Sequence, residues 1–116
     1  MCKRGDIYFA DLGEYRDTSE QRGTRPVLIV SNDLANTYSN VVTAVPLTSK
    51  LKKRELPTHV YIPAGACRGL AKPSMALAEQ VMSIDKSRLL NRRGHVSDSA
   101  LMNRITKALK VQIGAV

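Results

Sequence analysis

Apolar residues along this chain recur mainly in short runs with a spacing of two, the signature of strands rather than helices. Residues 7–11 alternate in this way. Residues 25–31, Arg-Pro-Val-Leu-Ile-Val-Ser, are apolar on both faces, which predicts a strand buried from both sides. Pro26 lies at the start of that run, where a missing amide does least harm, and it biases Arg25 towards an extended backbone. Residues 41–47 predict a further strand, with Pro46 marking its end or an edge, and the β-branched residues 58–62 a short one. Residues 74–84 begin as a strand, with Met75, Leu77 and Val81 on one side and Ser74, Ala76, Ala78 and Gln80 on the other. The stretches between are polar or rich in Gly and Pro. Residues 12–24, 50–57 and 63–73 predict loops, residues 32–39 a turn with a helical turn, and residues 85–90 a short helix.

The C-terminal part changes period. Leu101, Ile105, Ala108, Leu109 and Gln112 follow helical spacing, with Asn103, Arg104, Lys107 and Lys110 mostly elsewhere. Ser97 is the expected cap, and Asp98 suits the positive end of the helix. With no repeat or linker, the pattern predicts one domain over residues 1–116. Its expected class is α+β and mainly β: a small twisted barrel with short flanking helices and a C-terminal amphipathic helix.

Composition narrows the function. With 43% hydrophobic and 24% charged residues the chain supports a core, and with no Trp and one Phe that core rests on Val, Leu, Ile and Ala. Cys2 and Cys67 stand apart from any clustered His, so no metal-ligand spacing exists and two reduced thiols are expected. No apolar run has membrane-spanning length and the N-terminus lacks a signal-peptide core, so a cytoplasmic protein is expected. The net charge is +8, and it is uneven. Residues 1–33 hold five Lys/Arg and six Asp/Glu, whereas residues 34–116 hold thirteen and four. Such a surface attracts polyanions, nucleic acid foremost, though a basic surface also suits an acidic protein.

Motifs for nucleotide hydrolysis, zinc proteolysis and serine hydrolysis are absent. His59 and His95 are conceivable as a two-histidine ribonuclease, but a lone His in a strand or before a helix is more often structural. The more informative group is Glu20, Gln21, Arg25 and Thr48. Glu20 and Gln21 lie in the loop feeding the strand that Arg25 starts, and Thr48 ends the neighbouring strand. RNA cleavage by its own 2′-hydroxyl needs orientation, proton transfer and stabilisation of charge on the phosphorane. A guanidinium fork and a hydroxyl suit that charge, and a carboxylate suits the 2′ proton. By residue type alone these positions are equally at home on an ordinary surface.

Several segments resemble one family. Lys3-Arg4-Gly5-Asp6-Ile7-Tyr8 is similar to its opening block, and Glu20-Gln21-Arg22-Gly23-Thr24-Arg25-Pro26-Val27-Leu28-Ile29-Val30 to its next. Thr43-Ala44-Val45-Pro46-Leu47-Thr48-Ser49, Leu56-Pro57-Thr58-His59-Val60, Leu77-Ala78-Glu79-Gln80-Val81 and Ser83-Ile84-Asp85-Lys86-Ser87-Arg88-Leu89 follow in order at normal spacing. Together they resemble the MazF/PemK/Kid endoribonuclease toxins, nearest to the form common in Gram-positive bacteria. The resemblance implies an SH3-like barrel, a homodimer with RNA grooves across its interface, and cleavage of single-stranded RNA without metal or cofactor. The expected ends are a 2′,3′-cyclic phosphate and a 5′-hydroxyl. It implies catalysis by Arg25 and Thr48, and an RNA path lined by Ser19, Gln21, Lys53, Leu56, Thr58, Ser74 and Gln80. An arginine is a poor base because guanidinium stays protonated, so Glu20 is the candidate base and Arg25 the electrostatic clamp. Met82 departs from the Arg or Lys frequent there in relatives, which removes one contact to RNA rather than the chemistry. The resemblance also implies an acidic MazE-like antitoxin as partner. A gyrase-poisoning toxin of the same fold uses an apolar Trp-containing tail, whereas this chain ends Ile113-Gly114-Ala115-Val116 without Trp. A non-catalytic RNA-binding barrel is disfavoured by the presence of both Arg25 and Thr48.

Overall fold

A computed structural model describes residues 2–14, 20–51 and 56–116. Among these, β1 (Asp6–Asp11), β2 (Thr24–Ile29), β3 (Val41–Thr48), β4 (His59–Ile62), β5 (Ser74–Leu77), β6 (Met82–Asp85) and β7 (Leu89–His95) build one antiparallel sheet. Two helices join it, α1 (Asp33–Tyr38) and α2 (Ser99–Gln112), with single 3-10 turns at Ala64–Ala66, Ala78–Gln80 and Lys86–Arg88.

The two-faced apolar run of β2 is explained by cover on both sides. Leu28 enters a cluster with Val45, Leu47, Val60 and Ile62, onto which α2 lays Leu101, Ile105 and Ala108. Val27 and Ile29 enter a second cluster on the other face with Cys2, Ala10, Leu12, Val42, Ala44 and Ile84. Leu28 is fully buried, so truncating it to Ala costs about 2–5 kcal/mol. The cap of α2 is Asp98 rather than Ser97: its carboxylate accepts from the backbone amides of Ala100 at 2.9 Å and Leu101 at 3.4 Å.

The expected SH3-like barrel does not form. Strand order runs β4-β5-β3-β2-β1-β7, with β6 alongside β3, and among the described residues β4 and β7 are unpaired on their outer sides. The reason lies in β3, which changes partner along its length. Residues Val41 to Ala44 pair with β6, whereas Leu47 and Thr48 pair with β5. Pro46 sits between the two pairings, where no ladder amide is needed, so the strand runs through it instead of ending there. The Ala78–Gln80 turn breaks the expected 74–84 strand into β5 and β6. Closure is also occupied. α2 packs beside β4 and that turn, and the loop after Cys67 covers the backbone of β7. There Gly69 lies so near the Arg93 carbonyl that a Cβ would sit 1.5 Å from it. The expected helix over 85–90 is reduced to the Lys86–Arg88 turn, after which the chain enters β7.

Candidate active site

The hairpin of β1 and β2 is closed at its loop end by backbone bonds from Leu12 to Gly23 at 3.0 Å and from Gly23 to Gly13 at 2.8 Å. Gly23 adopts φ +78°, a conformation that side chains with a Cβ resist. This turn delivers Thr24 and Arg25 into β2. Arg25 then pairs across from Ala10.

β2 and β3 pair Ile29 with Ala44, Leu28 with Val45 and Val27 with Pro46. Continuing this register by two residues sets Arg25 opposite Thr48. Alternation also gives them one face, because Val27 and Ile29 on β2, and Val42 and Ala44 on β3, all enter the second cluster. Past Val27 the strands part as β3 turns to β5, where Thr48 pairs with Met75. The two residues thus lie at the same end of the sheet, one near the start of β2 and the other at the end of β3.

Each is partly held by its own backbone. Arg25 Nε donates to the Arg22 carbonyl at 2.9 Å, and among the described residues its two terminal nitrogens make no further hydrogen bond. Thr48, buried at 7% exposure, accepts from the Lys50 amide through Oγ1 at 3.2 Å. That leaves its hydroxyl hydrogen free to donate. Gln80 ends the Ala78–Gln80 turn, two residues before Met82, which pairs with Ala44. The Gln80 Oε1 accepts from the Gln21 amide at 2.7 Å, tying the 20–25 loop to that turn. Among the described residues, two buried atoms of that loop, Gln21 Oε1 and Arg22 Nε, have no hydrogen-bond partner. Glu20 is exposed and pairs with Arg22 Nη2 at 2.9 Å.

The other candidate positions divide. Thr58 is buried and its hydroxyl donates to Glu79 Oε1 at 3.0 Å, while Glu79 Oε2 meets His59 Nε2 at 2.8 Å. The His59 Nδ1 in turn accepts from the Leu56 amide at 3.3 Å, and Leu56 itself is exposed. One carboxylate and one imidazole therefore fasten residues 56–59 to the Ala78–Gln80 turn. Sequence reasoning gave Glu79 no role; its only signal was a position beside Gln80. Ser74 is brought elsewhere: it is buried on β5, paired with Ile62, on the face of Ala76 and the first cluster. Ser19 and Lys53 lie outside the described residues. In the second cluster burial raises the Cys2 thiol, with Asp6 adding to the effect, and burial likewise raises the Tyr8 phenol packed against it. Both stay neutral near pH 7 and add no charge to that cluster.

Comparison with known proteins matches this architecture from end to end. The family described as PemK-like, MazF-like toxin of type II toxin-antitoxin system matches residues 3–113. Endoribonuclease EndoA of Bacillus subtilis is 40% identical over 100% of this chain and 97% of its own. Endoribonuclease MazF of Staphylococcus saprophyticus is 39% identical over 98% of this chain and 92% of its own. Among solved structures, a mycobacterial endoribonuclease in complex with its cognate antitoxin superposes with a TM-score of 0.79 at 31% identity, covering 100% of this chain and 98% of that one. The chain belongs to the PemK-like, MazF-like toxins of type II toxin–antitoxin systems.

Proposed function

We propose that this toxin is a sequence-specific endoribonuclease whose cut site lies between Arg25 and Thr48. The observation that carries the reading is the β2–β3 register, which extended by two residues puts Arg25 and Thr48 on one face, where among the described residues two guanidinium nitrogens and one hydroxyl hydrogen have no partner. In the proposed reaction a base removes the proton of the 2′-hydroxyl. The 2′-oxygen attacks the adjacent phosphorus, the bond to the 5′-oxygen breaks, and that oxygen takes up a proton. The products are a 2′,3′-cyclic phosphate and a 5′-hydroxyl. Arg25 offsets the charge that grows on the phosphoryl oxygens, and Thr48 donates to one of them. Glu20 is the proposed base: it is solvent-exposed, ion-paired to Arg22 and five residues before Arg25. Gln21 Oε1 and Arg22 Nε, without a partner among the described residues, support RNA completing this loop. Gln80, Leu56 and Thr58 are the proposed walls of the path, with Ser19 and Lys53 contributing from the segments outside the described residues. Ser74 would act only by supporting the wall from within the core.

Arg25 would supply a fixed cation where many nucleases use a metal, so cleavage is expected to persist in EDTA. Among the described residues no helix is long and apolar enough to cross a membrane, and the proposed setting is the cytoplasm, where mRNA is accessible. The proposed assembly is a homodimer inhibited by an acidic antitoxin.

The test is primer extension on a long RNA. Wild-type protein is expected to cut at one short motif in EDTA. Arg25→Ala and Thr48→Ala should each slow cleavage by about 100–1,000-fold with unchanged circular dichroism, the usual loss for one oxyanion donor. Cleavage by Arg25→Ala within a few-fold of wild type would refute the site.

A further inference from the structure

At the opposite end of β1 from Arg25 lies a second cationic feature. A cavity of about 330 Å3 is lined by Arg68, Arg92, Arg93, Gly94 and His95. Each arginine is positioned by a different device. Arg92 Nε meets Asp6 Oδ1 at 3.4 Å. The Arg93 guanidinium lies over the Phe9 ring, 4.7 Å from its centroid. Arg68 is placed by the tight passage of Gly69 against the Arg93 carbonyl, and it forms no ion pair among the described residues. The one carboxylate here, Asp6, is 2% exposed. It is already engaged by His95 Nδ1 at 2.7 Å and by the Lys3 amide at 2.9 Å. Three arginines thus line a pocket beside one committed carboxylate, an excess of positive charge that favours a bound anion.

The sheet relates this pocket to the proposed cut site. Asp6, Tyr8 and Ala10 alternate onto one face of β1, and they pair with His95, Arg92 and Leu89 of β7. On the other side Tyr8 pairs with Val27 and Ala10 with Arg25. Arg92 and His95 therefore lie across β1 from Arg25, offset along it by two and four residues, roughly 7 and 13 Å. No apolar side chain lines the cavity, so it lacks the anchor that a peptide hot spot needs. Planar forks match phosphate oxygens.

We propose that this pocket, at the β7 edge of the sheet, binds a backbone phosphate of the RNA several nucleotides away from the scissile bond. The proposal rests on the endoribonuclease reading above. It makes long RNA a tighter ligand than the recognition motif alone.

The test uses full-length Arg25→Ala protein, which holds RNA without cutting it. Binding is measured by fluorescence anisotropy across a salt series for a short oligonucleotide spanning the motif and for one extended on both sides. Extension should tighten binding and steepen the log–log salt slope by about 0.7 for each added phosphate contact. Adding Arg68→Ala and Arg93→Ala should abolish that increment and leave the short oligonucleotide's affinity as it was. Adding Lys107→Ala and Lys110→Ala, an equal loss of charge on α2, should retain it. Equal slopes with and without Arg68 and Arg93 on the extended oligonucleotide would overturn the proposal. Loss of inorganic phosphate binding alone, or of antitoxin binding alone, with RNA binding intact would also overturn it, assigning the pocket to a free anion or to the partner protein. If the Arg25→Ala parent binds neither oligonucleotide, the endoribonuclease reading itself fails and this proposal with it.

Discussion

The Thr48 hydroxyl makes one structural hydrogen bond and, in the proposed reaction, a second to the substrate. Its Oγ1 accepts from the Lys50 amide at 3.2 Å, and its hydrogen is available to a phosphoryl oxygen. Thr48→Ser keeps both and is expected to cut RNA within a few-fold of wild type. Thr48→Val keeps the shape but removes both, and should lose about 100–1,000-fold in single-turnover cleavage. If Thr48→Val cuts as well as Thr48→Ser, the hydroxyl has no part in the chemistry. Asp33 shows a different dependence. The Arg4 amide donates to its Oδ1 at 2.7 Å, and this bond foremost, then one from Asn36, holds the carboxyl below the usual carboxylate range. A depressed folded value means stabilisation that is full above the unfolded value, about pH 4, and lost as pH falls through the folded one. Asp33→Asn should therefore melt earlier at neutral pH yet lose less stability on acidification, which thermal melts across an acid series would show. Parallel losses in the two proteins would mean that this carboxylate is not linked to folding.

At the scale of elements, the proposed RNA wall depends on a clamp rather than on propensity. Residues 56–59 are fixed because Glu79 receives Thr58 and His59 together, while His59 Nδ1 receives the Leu56 amide. Glu79→Ala leaves the buried Thr58 hydroxyl and His59 Nε2 without their partner, a loss of about 1–3 kcal/mol for an unsatisfied buried group. If the segment is a wall, KM for RNA should rise more than kcat falls. An unchanged KM in a folded variant would remove the segment from the RNA path. Much of this framework was legible in the sequence. The two-faced run of β2, the period of α2 and the edge positions of Arg25 and Thr48 all follow from patterning. β7 was not legible, because Leu89–His95 is an edge strand that presents mostly exposed polar side chains and carries no apolar alternation. The open sheet was hidden for a related reason: strand count and length do not reveal that β3 divides its edge between β5 and β6. Ser74 illustrates the limit for single residues, since its facing depends on a register with Ile62 that no local pattern encodes.

Across the whole molecule, charge sets the terms of partnership. The excess of basic residues in 34–116 favours an acidic inhibitor with an extended segment that orders on the RNA path. Labelled RNA bound to Arg25→Ala protein should be displaced by the antitoxin, with association slowing as salt rises. A ternary complex with unchanged RNA affinity would show that inhibition acts elsewhere. The long reach of the fold bears on timing as well. β1 takes β7 as one of its two neighbours, and Arg4 donates to Thr106 Oγ1 in α2 at 2.6 Å. A chain still emerging from the ribosome holds Arg25 and Thr48 before it holds β7 or the helix that covers Leu28, so the proposed cut site has no rigid support at that stage. On that reading cleavage is expected only once α2 has been translated, and an inhibitor is first needed at that moment.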